Sequence, residues 1–327
     1  MPEFAAHHLF GECVLKELPK ALSSAAERQP QAFLWGLHGP DVLYYSKMIR
    51  DRGRVPRAAV ALHHSDPERI FETMLLYIEK CRGRASYDIL RAYLLGFICH
   101  YSLDCVTHPF VYYQIALRQD APRAGRHAAV ESEIGSLLYR HMTGRPVSSF
   151  QIDDSYRRTG AFLLPIAEMY VFLIQKLYHI PLTAREVSVC FPFCLRMNRM
   201  AFRLAGDTGG IMLRSANKLV RCSELLSSFL KSDTVETDML NQRKCPWYNV
   251  NDPQRLRTES FPELFCAAQS KAVALSLRCA SMLDTGRLGP LGLSEAFDNG
   301  EPRKMQKPSK KVRLFKQQKA QREKISA

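Results

Sequence analysis

The sequence predicts an all-α protein built around one hydrophobic core. Apolar residues recur at helical spacing along most of the chain, and the alternation of apolar and polar residues that is typical of strands is almost absent. The 327 residues are 46% hydrophobic, which is enough to bury a sizeable core without disulfide bonds. We expect one helical domain over residues 1–286, followed by a basic, disordered tail over 287–327.

Polar groups appear early in the predicted helices. A helix is expected over residues 4–28, with His7 and His8 in its first turns and one of the two facing inward. Gly39-Pro40 then breaks the chain and places Asp41 at the start of the next segment, where an aspartate can cap a helix, bind a metal or do both.

The helix over residues 67–80 has a clear start signal. Asp66 is the expected N-cap and Pro67 the first helical residue, and His63 and His64 lie just before them. Further helical patterns are expected from 155 to 178 and over 183–204, 212–230 and 260–282. We expect residues 143–286 to be scaffold, because they contain one of the ten histidines whereas 1–142 contain nine.

The central stretch is an apolar run over 91–99 that ends in His-Tyr-Ser-Leu-Asp-Cys-Val-Thr-His. On a helix, its polar residues His100, Asp104 and His108 share one stripe. Burying a carboxylate and two imidazoles is costly unless something compensates them, and a bound cation is the most economical compensation. Pro109 is expected to put His108 at a helix end or kink.

A second pair repeats this chemistry, since His127 and Glu131 are again four residues apart. Two such pairs favour a metal site, and histidine with carboxylate suits zinc. The sequence lacks a cysteine cluster, so a catalytic site is expected rather than a closed structural one. An ordinary core or surface role is preferred for His38, His64, His141 and His179.

Composition limits the location of the protein. We find no stretch approaching the roughly 20 uncharged apolar residues of a membrane-spanning helix, and no signal peptide pattern at the start. We expect a cytoplasmic protein, with its ten cysteines mostly reduced. Residues 301–327 hold ten Lys or Arg against two Glu, and so contribute +8 of the net charge of +14. A solubilising tail is the preferred interpretation, and contact with an anionic membrane or nucleic acid is the alternative.

Several motifs together resemble the zinc-dependent phospholipase C family. They are HYSLDCVTHPF over 100–110, GPDVLYY and HHSDP before it, and HAAVE after it. The later segments CPWYN and SFPEL resemble an intracellular, bacterial-type branch of this family. The resemblance implies an all-helical fold, shared with single-strand nucleases, that binds three zinc ions.

The resemblance also implies which side chains hold these ions. For the first zinc they are Asp41, His63, His100 and Asp104; for the second, His108, His127 and Glu131; for the third, His7 and the bridging Asp104. His63 is chosen over His64 by the family's H-x-x-D-P spacing, and His7 over His8 by its distance from Phe10-Gly11.

This sequence departs from the secreted members in two places. Their third zinc is completed by the amino terminus left after signal peptide removal, whereas this chain starts Met1-Pro2. They also have five residues between the bridging aspartate and the next histidine, whereas three separate Asp104 from His108. We expect the geometry of the second site to adapt to this difference.

The expected activity is zinc-dependent hydrolysis of a phosphate ester, as in a phospholipase C-like phosphodiesterase. Zinc-bound water would attack phosphorus, with Asp41 as the candidate general base. Tyr44, Tyr45 and Phe110 lie beside ligands, although core packing is preferred for each. A single-strand nuclease or nucleotidase and a non-catalytic zinc-stabilised interaction module are the alternatives, and no obligate protein partner is expected.

Overall fold

A computed structural model describes most of the chain. The described residues are 4–48, 53–118, 126–157, 162–205, 231, 238–250, 252, 254–297 and 300. The helix expected over 212–230 and residues 301–327 lie outside them.

Helices dominate the described residues, which confirms the predicted all-α fold. The α-helices are α1 (Phe4–Glu17), α2 (Lys20–Arg28), α3 (Pro30–Gly36), α4 (Arg54–His63), α5 (Pro67–Lys80), α6 (Ser86–Leu117), α7 (Arg126–Thr143), α8 (Leu164–Tyr178), α9 (Ala184–Ser188), α10 (Cys190–Arg203) and α11 (Phe261–Thr285). Short 3-10 helices cover Gly39–Met48, Val147–Ser149 and Asp154–Arg157. Two short antiparallel strands, β1 (Trp247–Tyr248) and β2 (Leu256–Arg257), pair Trp247 with Arg257.

Two expected helices are each divided into two. The helix predicted over 4–28 is interrupted between α1 and α2, where Pro19 is the N-cap of α2 and has no N–H to continue the α1 hydrogen bonds. The pattern over 183–204 is likewise interrupted at Val189, between α9 and α10, because Pro192 cannot donate to the preceding turn. The start of α5 is confirmed, since the Asp66 side chain accepts a hydrogen bond from the Glu68 amide at 3.2 Å and Pro67 is the first helical residue.

Helix α6 is the centre of the fold. It packs most extensively against α3 and α11, and buried residues occupy most of its circumference. The uncharged run of α6 between Arg91 and Asp104 stays short of the roughly 20 residues of a typical membrane span, but by length and composition the whole helix could cross a membrane. However, 83% of its most apolar 18-residue window is buried inside the protein, as in a core helix.

Of the two alternatives expected at Pro109, the helix end is wrong, because α6 continues to Leu117, and the kink stays a prediction. Pro109 removes only the hydrogen bond that would reach the Cys105 carbonyl one turn earlier. The Gly300 backbone lies against that carbonyl, so closely that a Cβ on Gly300 would be 2.1 Å from the oxygen. The continuous helix therefore keeps His108 on the same stripe as His100.

Residues 288–297 together with Gly300, which we call the C-terminal strap, pack onto the helical domain. Leu291 and Phe297 are buried in the same core as the helices, and Ala296 is also buried. These residues were expected in the disordered tail. This part of the prediction is wrong, because apolar side chains of the strap pack into the core although polar residues separate them along the chain. The division into one domain and a basic tail otherwise stays a prediction.

Helices α3 and α6 cross with their backbones in contact, at Gly36 and Gly96. A Cβ on Gly96 would lie 2.1 Å from the Phe33 carbonyl oxygen and 2.8 Å from the Gly36 Cα. No larger residue fits without moving the two helices apart. This crossing holds the 3-10 helix that follows α3 beside α6.

We predict that Gly96→Ala lowers the free energy of unfolding by about 1–3 kcal/mol, because the added methyl group overpacks the crossing. Gly289→Ala is the control, since a Cβ there would meet no atom within 4 Å. Thermal unfolding of the two variants checks the prediction. Equal melting temperatures for Gly96→Ala and the wild type would contradict it.

Candidate metal centre

Five helical elements bring their polar side chains to one buried region. Helix α6 provides one stripe, and the other residues come from α1, the 3-10 helix Gly39–Met48, the last residue of α4, and α7. All eight side chains predicted as metal ligands converge there: His7, Asp41, His63, His100, Asp104, His108, His127 and Glu131. Their role as ligands stays a prediction, while their convergence is a property of the fold.

The first group consists of Asp41, His63, His100 and Asp104, which are all buried. One potential ligand atom from each of the four lies within 4.8 Å of the others. His63 Nε2 is 2.8 Å from Asp41 Oδ1. His100 Nε2 is 3.3 Å from Asp104 Oδ2 and 3.7 Å from Asp41 Oδ2. The four side chains thus surround one small space with two imidazoles and two carboxylates.

The second group consists of His108, His127 and Glu131. Glu131 Oε1 lies 3.2 Å from His108 Nε2 and 2.8 Å from His127 Nε2. The Glu131 side chain is 11% exposed and that of His127 is 34% exposed, so this group is the more accessible one. The three side chains thus come together although only three residues separate Asp104 from His108.

His7 is the inward-facing member of its pair, as predicted, and joins the first group through Asp104. Its Nε2 is 3.3 Å from Asp104 Oδ1, and its ring stacks on His100 at 4.8 Å. His8 instead faces Glu12 at 3.4 Å. The two oxygens of Asp104 thus face different histidines, which is the arrangement expected of a bridging carboxylate.

Backbone carbonyls fix the orientation of two imidazoles. His63 Nδ1 is 2.8 Å from the Ala59 carbonyl oxygen, and His108 Nδ1 is 3.1 Å from that of Phe297. Each Nδ1 must therefore carry a proton and donate it. In the neutral ring Nε2 then presents a lone pair toward a carboxylate, so either a second proton on the ring or a metal ion must lie between these two acceptors.

His100 supports the same conclusion, because among the described residues neither of its ring nitrogens has a hydrogen-bond partner although the ring is fully buried. Unpaired buried polar atoms are rare and indicate a missing partner. Imidazole nitrogens and carboxylate oxygens are the ligands that zinc takes in catalytic sites. The residues present therefore fit zinc, and each of the two groups could hold an ion.

Burial and charge act in opposite directions on the histidines. Burial lowers the pKa of His100 to about 4, although Asp104 and Asp41 oppose it, so this ring is neutral at pH 7. Burial also lowers the pKa of His7 and His63. Their carboxylate partners outweigh it, so that both pKa values lie above the ordinary histidine value.

The three carboxylates stay ionised despite their burial. Desolvation raises the pKa of Asp41, Asp104 and Glu131, but the neighbouring histidines lower it further, and each pKa lies below its ordinary value. The centre thus concentrates negative charge in a dry interior. That charge attracts a cation, and protons occupy the cation's place in the metal-free protein.

The four histidines expected to have ordinary roles lie outside both groups. His38 is buried and shares a 2.9 Å hydrogen bond with the Tyr156 hydroxyl, and His141 accepts one from Gln242 at 3.1 Å. His64 and His179 are the C-caps of α4 and α8.

The aromatic residues named from the sequence divide into two kinds. Tyr45 is buried and receives a hydrogen bond from Asn198 at 2.7 Å, and Phe110 packs on Trp247. The half-buried Tyr44 instead contacts the first group, with its hydroxyl 3.2 Å from His63 Nδ1.

Sequence reasoning missed the Phe297 carbonyl that orients His108. A backbone acceptor has no residue-type signal, and this one lies 189 positions away along the chain. Ala59 could have been found, because it lies one helical turn before His63.

We predict that Glu131→Gln binds one zinc fewer per chain than the wild type, because both histidines of the second group share this carboxylate. Metal analysis of the purified proteins gives the stoichiometry. Glu133→Gln, on the same helix, is the control, since Glu133 pairs with Arg118 rather than with either group. Equal zinc content in Glu131→Gln and the wild type would exclude this ligand.

We also predict that zinc binding releases protons and weakens as the pH falls. The raised pKa values of His7 and His63 mean that these rings hold more protons near neutral pH than ordinary histidines, and a metal must displace them. Affinity should therefore decrease as the pH falls through these raised pKa values. Calorimetric titrations in two buffers of different ionisation enthalpy count the protons. A pH-independent affinity without proton release would disprove the prediction.

Comparison with known proteins places these residues in a family. A family model described as zinc dependent phospholipase C matches residues 2–174, which include every residue of both groups and His7. Neither a search of curated proteins nor one of solved structures found a match. Because the family match covers more than half of the chain, the protein belongs to the zinc-dependent phospholipase C family, and its two buried ligand groups support a zinc-dependent hydrolase.

Proposed function

We propose that this protein is a phospholipase C-like phosphodiesterase. The observation that carries the proposal is the presence of two ligand groups, one of them built on Asp104, within the part of the chain that the family model matches. Two ligand groups with residues on successive turns of α6 suit a phosphodiester, whose non-bridging oxygens and leaving oxygen need stabilisation at separate points. When bound there, zinc would polarise the phosphoryl oxygens and lower the pKa of bound water to about 7.

Asp41 is the residue that we assign to proton transfer. Its Oδ1 is held by His63, whereas its Oδ2 lies 3.7 Å from His100 Nε2. His63 and His100 keep its pKa below the ordinary value even though burial raises it, so the carboxylate is ionised and able to accept a proton. Asp41 would take the proton from the attacking water at Oδ2.

Two half-buried tyrosines would flank the substrate. The Tyr44 ring lies 5.1 Å from that of His63 in the first group, and the Tyr112 ring lies 5.3 Å from that of His127 in the second. Both side chains are partly exposed to solvent. Their position beside the two groups suits contact with the organic part of a phosphodiester.

The substrate class follows from charge. A phospholipid is our first candidate, and a cytoplasmic protein would meet it at the inner leaflet, whose surface is anionic. Residues 301–327 carry a net charge of +8 and follow Gly300, which lies against Cys105 on α6, one turn before Pro109. We propose that this basic segment binds anionic lipid and so brings the membrane surface to the metal centre.

Single-stranded nucleic acid is the second candidate, because the rest of the chain carries a further +6 and a positive surface attracts polyphosphates. A nucleotide is a smaller substrate of the same class. A protein with zinc but no turnover would instead be an interaction module.

We predict that the zinc-loaded protein hydrolyses one substrate class in a panel of anionic vesicles that contain phosphatidylcholine and an anionic phospholipid, single-stranded DNA and a small phosphodiester. Chelation should abolish this hydrolysis, and Asp104→Asn should lose activity together with zinc. Asp41→Asn should lower kcat by about 100-fold or more, the usual contribution of a general base. Product release over time gives the rates, and Glu133→Gln should behave as the wild type.

The panel also separates the alternatives. A chain ending at Gly300 should lose activity on anionic vesicles and keep it on the small phosphodiester. Cleavage of single-stranded DNA alone would replace the phospholipase proposal by a nuclease. Zinc binding without hydrolysis of any substrate would favour the interaction module.

A further inference from the structure

We propose that the C-terminal strap is part of the metal centre, and that Phe297 is a positioning residue for His108. The inference rests on the proposed metal-binding function of the second group. It concerns residues beyond 2–174, the part of the chain that the family model matches.

The first observation is the hydrogen bond between the two residues. His108 Nδ1 lies 3.1 Å from the Phe297 carbonyl oxygen, which can only accept, so the ring must donate from Nδ1. The opposite nitrogen, Nε2, is thereby aimed at Glu131 Oε1, 3.2 Å away. The strap thus selects the tautomer and the rotation of the imidazole that the second group requires.

The second observation is that the Phe297 side chain lies beside the first group. Its ring is fully buried and packs edge-on against Tyr101 at 4.6 Å and Phe97 at 5.7 Å. The same ring lies 6.3 Å from the rings of both His63 and His100 in the first group. One residue therefore contacts the surroundings of both groups, with its carbonyl on one and its ring beside the other.

The third observation is how the strap is held. The Glu68 carboxylate accepts hydrogen bonds from the backbone amides of Leu291 and of Leu293, the second at 2.6 Å. Further along, the Tyr101 hydroxyl donates to the Glu295 carbonyl at 2.8 Å, and the Glu295 carboxylate pairs with Lys271 at 2.8 Å. These hydrogen bonds and this ion pair fix the path of the strap backbone. Apolar packing alone is not directional and would allow the strap to shift along the helices.

The fourth observation is at the end of the strap. Because Pro109 has no N–H, the Cys105 carbonyl lacks its helical donor, and Gly300 lies beside this carbonyl. The φ of Gly300 is +63°, which favours glycine. The Gly300 amide donates to the carbonyl of Ala296, the residue before Phe297, at 2.9 Å. The residue that orients His108 is therefore held on both sides.

This arrangement has a specific consequence for metal binding. If the strap is displaced, His108 can rotate and exchange tautomers, and the second group should bind zinc about 10- to 100-fold more weakly, as when the hydrogen-bond partner of a metal ligand is lost. The first group keeps its own orienting bond between His63 and Ala59, so it should be affected less.

The test uses Glu68→Gln in the full chain, with Glu72→Gln as the matched control. In Glu68→Gln an NH₂ group replaces one carboxylate oxygen, and it cannot accept the hydrogen bond of a strap amide. Glu72 lies one turn later on α5 and is exposed, so its substitution leaves the strap in place. Long-range ¹H–¹⁵N spectra of the metal-free protein report imidazole tautomers, and His108→Gln identifies the His108 signals. We expect His108 Nδ1 to be fully protonated in the wild type and Glu72→Gln, whether or not Nε2 also carries a proton, and partly deprotonated in Glu68→Gln.

Competition with a chromophoric chelator supplies the second readout. Glu131→Gln identifies which class of zinc belongs to the second group. We expect this class to lose at least about 10-fold in affinity in Glu68→Gln and the other class to change less. Gly300→Ala displaces the strap from its other end and should have the same effects, with Gly289→Ala unchanged.

Unchanged tautomers and zinc affinities in both variants, with lower melting temperatures, would overturn the proposal and leave the strap as packing only. The tautomer measurement needs neither zinc nor turnover. A failure of the proposed phosphodiesterase activity is therefore distinguishable from a failure of this inference.

Discussion

The buried carboxylate of Asp104 is the constraint on which the rest of the structure depends. It lies on the central helix with one oxygen toward His7 and the other toward His100, so it connects α1 to the first group. A charge in this position is unfavourable unless cations or donors surround it. The fold meets this requirement by placing the histidines of α1, α4 and α6 around it.

Orientation of the histidines is achieved by backbone acceptors at very different sequence distances. Ala59 orients His63 from one turn earlier on the same helix, and Phe297 orients His108 from the far end of the chain. The hydrogen bond between His63 and Ala59 can form as soon as α4 forms. The hydrogen bond between His108 and Phe297 requires the strap to pack, so assembly of the second group is coupled to the folding of residues beyond the helical domain.

Close backbone packing makes the geometry of the first group possible. The contact between Gly36 and Gly96 brings α3 against α6, and the 3-10 helix that follows then presents Asp41 to His100. Gly39, with a φ of +44°, lies directly against the His100 ring. Small residues thus permit the approach of charged ones, and neither set would form the centre without the other.

The sequence by itself determined the helical class and the identity of the polar residues, because spacings of four along a helix place His100 with Asp104 and His127 with Glu131 whatever surrounds them. Only the tertiary structure decided that α6 passes through Pro109, that His7 reaches Asp104, and that the strap belongs to the core. These depend on contacts between distant segments, such as Gly300 against Cys105, whose strength no local pattern reports. The ligand types were readable because metal chemistry restricts them, whereas the carbonyl of Phe297 was not, since every residue carries one.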